Sequence, residues 1–176
     1  MFSRISPKFW EINYKNYLSC PEIIFLAAYE KKSNELAGFV IATTSFPRTY
    51  KTFFRPNILF KNVLFILLMV LKNPTKVLDI INVLLTKKFT QGVPEQRWLT
   101  WIVLPKFRKN GVGSALYFQL CKRMKEKGVR KFYGTVDCKN TKSNRAHVKF
   151  RARKVSSLLI ENVPHFLWEH DSKGSG

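Results

Sequence analysis

Acid and cysteine are the scarce components of this chain, which has 11 Asp and Glu against 31 Lys and Arg, and three cysteines, in 176 residues. Cys20, Cys121 and Cys138 are odd in number, far apart and in no C-x-x-C spacing. That supports neither a disulfide framework nor a zinc knuckle and fits a reducing compartment. Residues 1–7 lack the apolar segment of a secretory signal, so a cytoplasmic location is expected. The apolar stretch 58–71, interrupted only by Lys61 and Asn62, is short for a membrane span. As a helix it rises about 21 Å against the roughly 30 Å of a hydrocarbon core, which makes it buried or interfacial. No internal repeat occurs, and low complexity is confined to 172–176, expected to be a disordered tail.

What remains is enough for one domain over 1–171. Hydrophobic residues make up 45% of the chain and aromatics 14%, which excludes a wholly disordered basic tail. The length argues against two domains. Ser6-Pro7 starts a helix expected to reach Leu18, and the apolar runs 23–29 and 36–44, joined by the polar turn 30–35, form a hairpin. Residues 47–96 read as a helical insertion broken at Asn73-Pro74. A strand over 98–104 leads into Pro105-Lys106-Phe107-Arg108-Lys109-Asn110-Gly111-Val112-Gly113, then into a helix with Val112, Ala115, Leu116, Leu120 and Met124 inward and Gly128 at its close. Further on come a strand over 131–138, a helix capped by Ser143 and running to about Lys154, and short strands at 155–160 and 166–168.

The glycine turn carries the chemistry. Glycines at 111 and 113 let backbone approach an anion closely, several N–H groups at the helix start point the same way, and Arg108 and Lys109 add charge. A pyrophosphate suits such a turn, although a G-x-G after a strand is also an ordinary tight turn. With its flanks, the segment 103–116 resembles the acyl-CoA signature of the GNAT superfamily of N-acetyltransferases: Arg108, Gly111 and Gly113 fill its R-x-x-G-x-G pattern. The resemblance continues to about Val155, and the preceding hairpin fits the family's strand order.

That resemblance implies an α+β fold, a mixed twisted sheet flanked by helices in three α/β/α layers, with the insertion between strands. It implies acetyl-CoA or another acyl-CoA as co-substrate, no metal, and transfer to an amine. Ile102, Val103 and Leu104 would contact the pantetheine arm. The turn residues Arg108, Lys109, Asn110, Gly111, Val112, Gly113 and Ser114 would hold the pyrophosphate. Aligning Ala146 with the family's N-x-x-A-x-x-x-Y places Ser143 at the cofactor-contacting Asn and Phe150 at the Tyr that often protonates the leaving thiolate. Thiolate can leave unassisted, so the missing hydroxyl weakens activity without excluding it. Lys154-Val155 stands where family members often have Gly-Phe, and the family's first strand and helix lack a clear counterpart before Ser6, leaving a trimmed or divergent N-terminus.

The strand 98–104 holds no carboxylate or histidine, so Glu95, just before it, is the candidate general base; its other reading is a solvated loop carboxylate. Asp137 could orient the acceptor or cap a turn. His147, His165 and His170 have no metal-ligand spacing and read as surface or core histidines. Between 106 and 154 stand 16 Lys and Arg and two acids, a net of +14 out of +20. These cations form solvated helix faces or meet a further anion, and a nucleic acid would use Lys142, Arg145, Lys149, Arg151, Arg153 and Lys154. No RNP, zinc-finger or helix-turn-helix pattern supports that alternative. The insertion would pack, cover the acceptor, or rest on an anionic membrane.

Overall fold

The computed structural model describes residues 18–52, 92–160 and 162–173, together with Lys15. The expected first helix up to its end, most of the insertion and the last three residues lie outside them.

Two apolar runs at either side of a polar turn form the antiparallel pair β1 (Ile23–Tyr29) and β2 (Leu36–Thr43), and Asn34 at φ 52° makes the reversal. Helix α1 (Phe46–Thr52) follows, tied to the sheet by a buried 2.7 Å hydrogen bond between the Thr43 and Thr49 hydroxyls. Strand β3 (Arg97–Val103) pairs antiparallel with β2. Beyond a 3₁₀ turn (Pro105–Phe107) come α2 (Val112–Glu126), β4 (Lys131–Asp137), α3 (Thr141–Lys149), β5 (Arg153–Ile160) and β6 (Val163–Asp171). The sheet order is β1-β2-β3-β4-β6-β5, antiparallel except for β3 and β4. This mixed six-stranded sheet flanked by helices is the expected α+β arrangement.

Helix α2 supplies most of the core. Leu116, Tyr117, Leu120, Cys121 and Met124 recur at helical spacing and are buried against Ile24, Val40, Ala42, Trp98 and Phe132. Tyr117 and Cys121 take the inward place expected for Ala115, which is exposed. A second cluster of Cys20, Ile23 and Ile41, with Phe39 and Leu99 against it, forms apart from the first.

Three local expectations change. Helix α3 is capped by Asn140, whose Oδ1 accepts the Ser143 N–H at 3.1 Å, so Ser143 is the capped residue and not the cap. The helix ends at Lys149, because Arg151 turns to φ 54° and releases the chain into β5. Strand β6 is longer than 166–168 and runs through Asp171, and Ser172, assigned to the tail, is buried and donates its N–H to the Arg130 carbonyl at 2.8 Å.

Candidate active site

The parallel strands β3 and β4 pair only where they begin, at Arg97 and Tyr133, with the Tyr133 N–H donating to the Gln96 carbonyl at 2.9 Å. Beyond that point the ladder ends, leaving a wedge that opens toward the C-terminal ends of both strands. The register of β2 with β3 shows which backbone groups face the wedge. Leu104 donates to Ala37 at 2.9 Å, so Val103 and Gly38 form a non-hydrogen-bonded pair, as do Trp101 and Val40. The N–H and C=O of Val103 and Trp101 therefore point away from β2 into the wedge. Those of Ile102 are taken by β2, as is the Leu104 N–H, while the Leu104 carbonyl accepts the Phe107 N–H at 3.0 Å. Of the three strand residues implied as pantetheine contacts, Val103 is the one whose backbone lines the opening.

A bulge sets which side chains accompany them. The register shifts between Ile41 and Ala42, leaving Leu99 unmatched between Trp98 and Thr100. One extra residue reverses the alternation, so Trp98 and Trp101, three apart, lie on the α2 face with their rings 5.2 Å apart. Trp101 also meets Phe150 at 5.6 Å, and Phe150 stacks on Tyr117 at 4.0 Å. Phe150 thus faces the cleft between α2 and α3, and Ser143, two turns before it, shares its flank of α3.

At the mouth of the wedge the glycine turn takes the form its sequence requires. Lys109 and Gly111 have φ of 68° and 79°, and Gly111 is the N-cap of α2 without any side-chain cap bond. The N–H groups of Val112, Gly113 and Ser114 have no carbonyl one turn back to receive them, and Ala115 is the first to bond, to the Gly111 carbonyl at 2.9 Å. Three amides, a helix dipole and the exposed Arg108 and Lys109 suit a diphosphate. Arg108 donates from Nε to the Val103 carbonyl at 3.1 Å, fixing turn to strand end. A Cβ on Gly111 would meet nothing within 4 Å, so this glycine serves backbone conformation; one on Gly113 would stand 3.5 Å from Trp101 Cζ2. Asn110 is exposed within the same turn.

Glu95 is exposed at the paired, opposite end of β3, where its carboxylate accepts the Ser45 hydroxyl at 3.1 Å. Asp137 accepts the Lys139 N–H at 2.8 Å and so caps its turn. His165 bonds the Val163 carbonyl, whereas His147 and His170 are both 1% exposed. Among the described residues, no three His, Cys, Asp or Glu side chains gather as a metal site requires, and no helix is long and apolar enough to cross a membrane.

Sequence reading missed a buried polar chain behind the cleft: Tyr117 Oη lies 3.0 Å from His170 Nδ1, and His170 Nε2 lies 2.9 Å from His147 Nδ1. Burial pushes the His147 pKa down to about 3; burial and then the charge of His147 do the same for His170. On the side of the sheet away from α2, Glu169 accepts from Tyr133 Oη at 2.9 Å and from Arg153 and Lys131. Burial alone would raise the Glu169 pKa, but these hydrogen bonds hold it below the ordinary carboxylate value. The Tyr133 hydroxyl is pushed up by burial and by its bond to Glu169. These partners lie 16 to 53 residues apart, and no local spacing marks them.

The sequence profile described as Acetyltransferase (GNAT) family matches residues 2–151. No curated protein matches the chain by sequence. Among solved structures, NAA60 from Arabidopsis thaliana, in complex with a bisubstrate analogue, is similar at a TM-score of 0.57 and 19% identity, covering 96% of this chain and 83% of that one. A spermidine N-acetyltransferase chimera from Vibrio cholerae gives 0.57 at 10% identity over 96% and 78%. An aminoglycoside 6'-N-acetyltransferase complexed with coenzyme A gives 0.52 at 15% identity over 90% and 77%. At these identities the structural likeness concerns the fold.

Proposed function

Since the chain belongs to the GNAT acetyltransferase family, we propose that it transfers an acetyl group from acetyl-CoA to a primary amine of a small molecule or protein. The observation that carries this reading is the wedge between β3 and β4 with three amides of α2 at its mouth. From Val103 to Leu99 the strand covers about 13 Å. A pantetheine arm, with a backbone equivalent to four residues, extends about 14 Å. The arm's length and the distance from turn to bulge agree.

Bound there, acyl-CoA supplies a thioester carbonyl as electrophile. The amides of Val112, Gly113 and Ser114 hold the diphosphate, and the wedge-facing N–H and C=O of Trp101 with the N–H of Val103 act as the edge to which an extended arm adds, the Val103 carbonyl being bonded to Arg108. Ser143 and Phe150 line the other wall. The bulge at Leu99 frees backbone from the ladder where charge on the carbonyl oxygen needs an N–H donor. The amine approaches from the face carrying Thr100, Tyr133 and Glu169. Glu95 remains the proposed base; four residues from Leu99, or about 13 Å along the strand, it is beyond direct reach and would take the amine's proton only through a relay of several waters. Phe150 donates no proton, so the thiolate leaves unassisted.

The test is thiol release from acetyl-CoA in the presence of amines, including spermidine, an aminoglycoside and peptides with free N-termini, with longer acyl-CoA donors beside it. Turnover with one acceptor class supports the proposal. Absence of thiol release across donors and acceptors, with the protein folded, counts against it. A second reading, binding of nucleic acid, is favoured by one observation: Lys142, Arg145 and Lys149 share a flank of α3 and form no ion pair among the described residues. Such binding should fall linearly with log salt and survive loss of the glycine turn.

A further inference from the structure

We propose that the indole N–H of Trp101 donates a hydrogen bond to an oxygen of the pantetheine arm, an inference that rests on the acyl-CoA reading above. Trp101 Nε1 is buried and has no hydrogen-bond partner. Native interiors rarely leave a donor in that state, and where they do a missing ligand or water is among the usual reasons. The surroundings of this donor favour a ligand. Among the described residues, the rings around it present hydrocarbon faces: Trp98 at 5.2 Å, Phe150 at 5.6 Å and Tyr117 at 6.4 Å between centroids, with the Tyr117 hydroxyl already bonded to His170. Phe150 has no hydroxyl to accept the indole proton.

The position of the indole edge is equally specific. A Cβ built on Gly113 would stand 3.5 Å from Trp101 Cζ2 and 3.9 Å from Cε2, the carbon that carries Nε1. The donor edge therefore lies against the first turn of α2, beside the amides proposed for the diphosphate. Along β3, Trp101 is two residues from Val103 toward the bulge, about 7 Å into the wedge. That is beyond the phosphates and short of the acyl end, at the depth of the arm's hydroxyl and amide oxygens. The donor is covered in the free protein, so binding displaces its cover, and half-buried Phe150 is a ring that flanks it. Glycine at 113 then has a second role, leaving this edge without a side chain across it.

Two ligands separate the arm from the nucleotide: CoA, and adenosine 3',5'-bisphosphate, which has no arm. Calorimetry on wild type and Trp101→Phe, which keeps an aromatic ring and removes the N–H, should show CoA affinity falling about five- to tenfold, the loss of one neutral hydrogen bond. Affinity for adenosine 3',5'-bisphosphate should not change. In ¹⁵N spectra of the wild type, whose four tryptophans give four indole signals, the Trp101 resonance should move downfield with CoA and stay in place with the bisphosphate. This spectrum needs no variant and decides the matter even where the substitution unsettles the fold. A stationary Trp101 resonance with CoA bound, or equal CoA affinities in the two proteins, overturns the inference. A parallel fall for both ligands overturns the assignment to the arm. Failure of the wild type to bind CoA at all overturns the cofactor reading instead.

Discussion

Acidification from pH 7 to pH 5 should weaken this fold through two histidines that cannot charge where they stand. His147 and His170 are 1% exposed, 2.9 Å apart through Nδ1 and Nε2, and both edge onto Trp98 with ring centroids at 4.7 and 4.6 Å. Their folded pKa values of about 3 lie below the ordinary 6.5. The unfolded chain therefore binds more protons below pH 6.5, so stability present above that pH is lost as pH falls toward 3. The loss is about 1.4 kcal/mol per histidine per pH unit once below 6.5, hence about 2 kcal/mol each and about 4 kcal/mol for the pair at pH 5. That is a large part of the roughly 5–15 kcal/mol a domain has. Among the described residues, the carboxylates whose pKa is depressed, Glu22, Glu30 and Glu169, lose their contribution only below about their ordinary 4.5 and so fall outside this window. Urea midpoints at pH 7, 6 and 5 should fall steeply for the wild type and little for a His147→Gln, His170→Gln double variant. Should that variant not fold, the imidazole C–H shifts of the wild type serve, with both rings staying neutral down to about pH 4. A flat wild-type midpoint, or either ring titrating near 6.5 in the folded protein, refutes the reasoning.

Gly134→Ala should destabilise by about 3 kcal/mol, because its Cβ would overlap the Trp98 indole in the core, and thermal unfolding reads the effect. Phe150→Tyr supplies the hydroxyl that the aligned family pattern has at this position; on the proposed function kcat should rise about tenfold or more with the KM for acetyl-CoA unchanged, and an unaltered kcat would show that thiolate departure is not limiting. Glu95→Gln should lower kcat by about 100-fold if the carboxylate takes the amine's proton, and leave it unchanged if Glu95 only receives the Ser45 hydroxyl.

What was legible in the sequence was local. The hairpin of β1 and β2 and the strand, glycine turn and helix of 97–126 were readable because alternation, helical period and turn residues sit within a few positions of one another. Helix α3 was displaced because Asn140 and Ser143 are both good caps, and only the bond between them shows which one caps. The inward face of α2 was legible at Val112, Leu116, Leu120 and Met124; Ala115 is exposed, and Tyr117 and Cys121, which carry polar atoms, are buried, Tyr117 bonded to His170. The pairing of Tyr117, His170 and His147 depends on α2, β6 and α3 meeting behind Trp98, a tertiary fact without a sequence period. The placement of Trp101 depends on the Leu99 bulge, which nothing in Trp98-Leu99-Thr100-Trp101 marks.

Binding of acetyl-CoA at the head of α2 is tested most directly by calorimetry on wild type and Gly113→Asp. The fold has room for a side chain there, with ordinary contacts of 3.5 Å to Trp101 and 3.6 Å to Val103. A carboxylate is also tolerated by the first turn of a helix, so the melting temperature should hold. The added negative charge stands where the diphosphate is held. Micromolar binding by the wild type and at least a hundredfold loss in Gly113→Asp, at equal stability, is the expected result; equal affinity in the two proteins, or no binding by the folded wild type, would contradict it.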